Sequence, residues 1–214
     1  MRRIGDSPCE RRRRVCGGGA GNSWARRSDR RHWSLGGTRS ALISGVGLLS
    51  IFGKLRDAGD LPGDMQAKIS VMLPISNPAT AEVLVELGAN TLNIQTDLDL
   101  AEIAAIQAAV DVPLDIYVEG PDNVGGFVRV QELSEFVRIA SPIYTKFGLR
   151  NAPAVYPAGT HLEAVTTALS RERVRRAKLG LELMARAGVD LTTSMPHALG
   201  LAVPVRESGG TGVA

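Results

Sequence analysis

Apolar and polar positions fall into a regular alternation from about Gly47 onward. Leu48, Ile51, Phe52 and Leu55 stand at helical spacing, and Gly59 marks a stop. Lys68 to Leu73 predicts a strand. Asn77-Pro78 supplies an N-cap and a first-turn proline for a helix running through Val83, Leu84 and Leu87 to Gly88. Thr91 to Gln95 reads as the next strand. Asp99 with Glu102 has the spacing of a capping box, and Leu100, Ile103, Ile106 and Val110 share the face of the helix it opens. Leu114 to Glu119 is a third strand. Val130, Leu133, Phe136 and Val137 mark another helix, and Ile143 to Phe147 a fourth strand. Thr160 with Glu163 predicts a capped helix to about Ala187, with a kink or a break where the apolar spacing slips near Ser170 to Arg173.

Strand followed by helix, repeated four times, predicts parallel strands joined by crossover helices. The faces of the strands choose among the α/β architectures. One face is apolar: Ile69, Val71 and Leu73; Leu92 and Ile94; Leu114, Ile116 and Val118; Ile143, Thr145 and Phe147. The other reads Ser70 and Met72; Thr91, Asn93 and Gln95; Asp115, Tyr117 and Glu119; Tyr144 and Lys146. An open sheet covered by helices on both sides should be apolar on both faces. A barrel wall is apolar outside and can be polar inside near its C-terminal mouth. No glycine-rich phosphate loop follows the first strand, where a doubly wound fold normally carries one. The expectation is a partial (β/α) TIM-type barrel of about four βα units. A full barrel uses about 250 residues for eight units, so the missing units are expected either to be lost upstream or to be supplied by a second chain or a homo-oligomer.

Residues 1–46 have a different texture. Neither a helical nor a strand period runs through them, and Arg, Gly and Ser dominate. A disordered arm is expected there, with the texture of out-of-frame or misplaced-start sequence; 47–190 would form the partial barrel and 191–214 a tail. The net charge of +3 conceals an asymmetry, because residues 1–39 carry 11 Arg against 3 acids, whereas residues 40–214 carry 14 Lys and Arg against 19 acids. The basic pI thus belongs to the arm, which argues against a nucleic-acid-binding domain. The longest apolar run, Ala41 to Phe52, is too short to span a bilayer, and no membrane partner is expected. Cys9 and Cys16 lie in the arm without a second zinc half-site, and His32, His161 and His197 are scattered, so no metal site is expected. A body without Cys suits the cytoplasm.

In a barrel, reactive groups lie at the C-terminal ends of strands and in the loops that follow. Glu119 and Lys146 sit at equivalent strand ends and are the candidate catalytic pair, with a salt bridge closing the barrel top as the plain alternative. The Glu is a candidate general acid or base. The Lys could polarise a carbonyl, form a Schiff base or hold a carboxylate. Asn93, Gln95, Asp115, Tyr117, Arg150 and Asn151 are the candidate substrate-binding residues, and Gly125-Gly126 leaves room for close backbone approach. His161 and the run Arg171, Arg173, Arg175, Arg176 and Lys178 read as solvent-exposed helix positions.

The stretches ELGANTLNIQTDLDLAEIAAI, DVPLDIYVEGPDNVGGFVR and PIYTKFGLRNAP resemble the collagenase-like family of unassigned peptidases, peptidase family U-32. The resemblance runs from Ala67 to about Asp190. It implies a barrel and peptide hydrolysis, and its members also act in RNA and quinone hydroxylation pathways. The hydroxylation members hold an iron–sulfur cluster through cysteines. Here Gly120 is followed by PDNVGGFVR, and no cofactor is expected. The functional expectation is a peptidase-like barrel protein, fragmentary, acting on a small-molecule or peptide substrate. The alternatives are a non-catalytic or vestigial oligomeric binding protein and a Schiff-base lyase or aldolase-like barrel using Lys146.

Overall fold

The computed structural model describes residues 38–189, 193–195 and 198. All but Thr38 and Arg39 belong to one compact unit, Ser40–Ala202. The expectations for residues 1–37, including Cys9, Cys16 and His32, and most of those for the tail lie outside the described residues.

Strands and helices alternate as β1 (Ser40–Ile43), α1 (Val46–Asp57), β2 (Gln66–Ile69), α2 (Pro78–Glu86), β3 (Thr91–Asn93), α3 (Leu100–Ala109), β4 (Leu114–Glu119), α4 (Leu133–Ala140), β5 (Ile143–Phe147) and α5 (Glu163–Arg186). The strands form one parallel sheet in the order β1-β2-β3-β4-β5. Neighbours in sequence are neighbours in the sheet, so it winds in one direction without the reversal of a doubly wound fold. The sheet is open, with β1 and β5 as its edges. It has five strands rather than the expected four. The additional strand, Ser-Ala-Leu-Ile at 40–43, falls inside the segment expected to be a disordered arm. Four residues are too few to establish a period, and its order comes from pairing along β2, where Leu42 meets Lys68 and Ile43 meets Ile69.

One face of the sheet carries the core. Ile43, Ile69, Leu92, Ile94, Leu114 and Ile116 are at most 3% exposed. They pack against Leu49, Phe52, Leu84, Ile103, Ile106 and Phe136 from the helices, each likewise buried. Burying a side chain of this size contributes about 1.5–3 kcal/mol. Helices α2 to α5 lie side by side in chain order, each against the next. No described helix is long and apolar enough to cross a membrane.

Local chemistry explains most boundaries. The Asn77 side chain accepts from the Thr80 backbone N–H at 2.9 Å, with Pro78 in the first turn. Asp99 and Glu102 form the reciprocal capping box, both bonds at 2.8 Å. Gly59 and Gly88 take left-handed backbone (φ +72° and +98°) just past α1 and α2. Four expectations need correction. Thr160 does not cap α5, because Thr160–Leu162 coils into a 3-10 turn that leads straight into the helix. That helix runs unbroken from Glu163 to Arg186, in place of the expected kink or break near Ser170 to Arg173. β2 ends at Ile69, and Val71 to Leu73 turn away, with the Leu73 N–H donating to the Ser70 carbonyl at 2.9 Å. In α1 the buried face is Leu49 and Phe52, while Leu48 and Ile51 point outward.

The join between β4 and β5 is irregular. Leu114, Asp115, Ile116 and Tyr117 pair with Ile143, Tyr144, Thr145 and Lys146 in step, and then Glu119, not Val118, pairs with Phe147. Val118 is thus the extra residue of a β-bulge. Gly148 follows at a point where a side chain has no room: a Cβ would stand 2.6 Å from Pro121 Cδ and 2.8 Å from the Glu119 carbonyl oxygen. The Gly148 N–H donates to that carbonyl at 2.7 Å. Gly148→Ala is expected to cost about 1–3 kcal/mol, the usual range for overpacking. Urea denaturation would show a lower midpoint at unchanged slope.

Candidate functional site

The face of the sheet turned away from the helices carries polar groups. Parallel pairing places Asn93, Asp115 and Tyr144 in one row and Tyr117 with Lys146 in the next. Lys68 stands on the same face, one strand beyond Asn93. The centre is Asp115. Its side chain is fully buried, and its Oδ2 lies 2.7 Å from Lys146 Nζ and 3.7 Å from Lys68 Nζ. The two lysine side chains are 29% and 28% exposed, so their head groups are within reach of solvent. Neither carboxylate oxygen accepts a well-aligned hydrogen bond from the described residues. The two ammonium groups are therefore what balances the buried charge.

The lysines are steered by their neighbours. Asn93, itself buried, orients its amide so that the oxygen accepts from Lys146 Nζ at 2.9 Å and from the Val71 N–H at 3.2 Å, while its NH2 donates to the Asp115 carbonyl at 3.2 Å. Lys146 Nζ lies 5.5 Å from the centre of the Tyr117 ring, and Lys68 Nζ 4.4 Å from that of Tyr144. These are cation–π contacts. Burial, and then the negative charge of Asp115, push both phenols above the usual tyrosine range. Each therefore keeps its proton at neutral pH and can donate it in a hydrogen bond.

Of the sequence-derived candidates, Asn93, Asp115, Tyr117 and Lys146 converge here. Glu119 does not. Simple alternation puts it on the Asp115 and Tyr117 face, but the bulge at Val118 turns it to the Phe147 side, against α5. The expected Glu119–Lys146 pair is replaced by two separate ion pairs, one on each face. Glu119 is 4% exposed and accepts from Arg176 Nη1 at 2.8 Å and from the Arg150 N–H at 3.3 Å. Arg150 and Asn151 are also elsewhere. Asp122, in the loop after β4, accepts from the Asn151 N–H at 2.7 Å and from Arg150 Nε at 3.2 Å. Those bonds, the Asn151 one foremost, hold its carboxyl below the usual range. Gln95 lines a shallow groove with Met72, Thr96, Gly125 and Phe127, beside the lysine face rather than in it. Gly125 and Gly126 both have left-handed backbone, so they shape the loop after β4. His161 is exposed, as expected.

Lys68, Tyr144 and Arg176 were not among the candidates, although Tyr144 stands on the polar face read from the sequence. Lys68 was visible, since counting back two from Ser70 puts it on the polar face. Arg176 stands in what looks like a solvated run, and only the tertiary fold selects it. It also shares Glu172 with Arg175: Arg175 Nε and Nη2 each approach a Glu172 oxygen at 2.8 Å, and Arg176 Nε approaches at 2.7 Å. These bonds, Arg175 first and then Arg176, bring the Glu172 carboxyl down from 4.5 to about 2. A depressed carboxylate stabilises the fold fully above its ordinary pKa and loses that contribution as pH falls through the lowered one. The Glu172 contribution should therefore persist down to about pH 4.5 and fade toward pH 2. An NMR titration of its side chain should show the low midpoint in this chain and a higher one in Arg175→Gln.

Among the described residues no three His, Cys, Asp or Glu side chains converge as a metal site would require. No family model matches the chain, and no curated protein matches it. Among solved structures it is similar to the crystal structure of the Amycolatopsis orientalis BexX/CysO complex, with a TM-score of 0.34 and 12% identity, over 70% of this chain. The chain spans about half, 55%, of the length of that match. At that distance the residues of the site have to speak for themselves.

Proposed function

We propose that the chain is a carbonyl-processing protein of the lyase or aldolase-like type, with Lys146 as its imine-forming amine. The carrying observation is the 2.7 Å approach of Lys146 Nζ to the fully buried Asp115 carboxylate, on the sheet face opposite the described helices. An amine must shed a proton before it can attack a carbonyl, and a carboxylate in contact offers the proton a place to go. Asn93 fixes the amine by accepting from it. Tyr117 and Tyr144 stay protonated and can donate to the carbonyl oxygen as it leaves. In this reading β1–β5 are one side of a (β/α) barrel in the cytoplasm, completed along its edges by a second copy or another chain. Peptide hydrolysis, which the resemblance to peptidase family U-32 implies, is the competing proposal and rests on that resemblance.

Borohydride reduces an imine to a stable secondary amine. Incubation with a panel of small aldehydes and ketones plus borohydride should add to Lys146 the mass of one carbonyl compound less an oxygen atom. Lys146→Ala should lose the adduct completely. An adduct spread evenly over the surface lysines would count against the proposal.

A further inference from the structure

One ammonium group suffices to neutralise Asp115, yet two reach its Oδ2. The second, Lys68, leaves an uncompensated positive charge in this cluster of two lysines and one carboxylate. It lies at the longer distance, 3.7 Å, and is 28% exposed. It is held over the Tyr144 ring at 4.4 Å rather than released into solvent. Gathering like charges around one carboxylate opposes folding unless the surplus meets an anion. Because both lysines touch the same oxygen, their Nζ atoms are close enough for one small molecule to span them.

We infer that the ligand of this face is a short 2-oxo carboxylate, whose carbonyl carbon meets Lys146 while its carboxylate pairs with Lys68. The inference rests on the imine reading above and adds to it the identity of the ligand. The chemistry balances without an oxidant. Lys146 passes its ammonium proton to Asp115, and its lone pair forms a C–N bond to the keto carbon. The keto oxygen takes up the two protons left on the nitrogen and departs as water, leaving the imine. Adjacent to a carboxylate, that imine is an electron sink for breaking a neighbouring C–H or C–C bond. Lys68 keeps the carboxylate turned away from the reacting bond, a positioning and specificity role that a neutral aldehyde would not need.

The test uses the full chain and two neutral probes, dihydroxyacetone and glycolaldehyde, beside two oxo acids, pyruvate and glyoxylate, each with borohydride and peptide mapping. At limiting probe, the oxo acids should modify Lys146 preferentially. Lys68→Met should lower oxo-acid trapping about tenfold, the loss of roughly one charge-assisted contact. Trapping of the neutral probes should fall far less than that of the oxo acids in that variant, because they have no carboxylate to lose. Lys68→Arg keeps the charge and should keep the preference, and trapping of the neutral probes reports that each variant is folded. Equal trapping of all four probes, with no selective effect of Lys68→Met, would overturn the ligand assignment and leave the imine standing. Absence of any adduct on Lys146 with every probe would overturn both.

Discussion

Replacing both Lys68 and Lys146 by Met should destabilise the fold by about 3–5 kcal/mol, the cost of leaving a buried carboxylate without its partners. Asp115 is the reason. Its side chain has no exposure, and its oxygens rely on the two ammonium groups for compensation. Either single replacement should cost less, about 1–2 kcal/mol, because the remaining lysine can move toward the carboxylate and because each is more than a quarter exposed. The effects should therefore fail to add. Introducing Asp115→Asn into the doubly substituted chain should return most of the loss, since it removes the stranded charge. Urea denaturation of the single, double and triple variants gives the whole cycle. A double variant as stable as the parent would show that the carboxylate is compensated by something other than these lysines.

The second large effect is expected on the opposite face. Arg176→Met should cost about 2–4 kcal/mol, nearer the lower figure because the Arg176 side chain is 35% exposed and partly screened. Among the described residues it leaves buried Glu119 with only the Arg150 N–H as donor. It also loosens α5, for which Arg176 is a fastening to the end of β4. Limited proteolysis should then release α5 earlier than in the parent chain. Glu119→Gln combined with Arg176→Met should be more stable than Arg176→Met alone. Glu119→Gln by itself should leave carbonyl trapping at Lys146 unaltered, because the two side chains stand on opposite faces of the sheet. A loss of trapping in that variant would put Glu119 back into the chemistry.

Much of this architecture could be read from the residues, and the exceptions have physical causes. β4 and β5 lie where alternation places them, and the caps at Asn77 and Asp99 work as their spacing implies. The polar face could be read too, so Asn93, Asp115, Tyr117 and Lys146 come together as a group. Alternation assumes one residue per pleat, however, and one inserted residue reverses everything beyond it. Val118 is that residue, and nothing in Tyr-Val-Glu-Gly signals it. That is why Glu119, opposite Lys146 by counting, faces α5 instead. β1 escaped for another reason: four residues between polar and glycine-rich stretches carry no period, and pairing with β2 orders them. Arg176 could not have been picked from its run of basic neighbours, because its role depends on which side of a long helix meets the sheet.

The order β1-β2-β3-β4-β5 also bears on how the chain reaches its fold. Each strand pairs with the strand just before it, across a single helix, so no segment waits for a distant one. The loops that must close are similar in length, and closure costs little more for one than for the next. Each pairing still spans a whole crossover helix, so it forms more slowly than the contacts of a helical bundle. A chain emerging from synthesis N-terminus first can lay each new strand on an edge already formed. Asp115 would then enter the sheet beside Lys68 and await Lys146, so the charge cluster is complete only when the fifth strand docks.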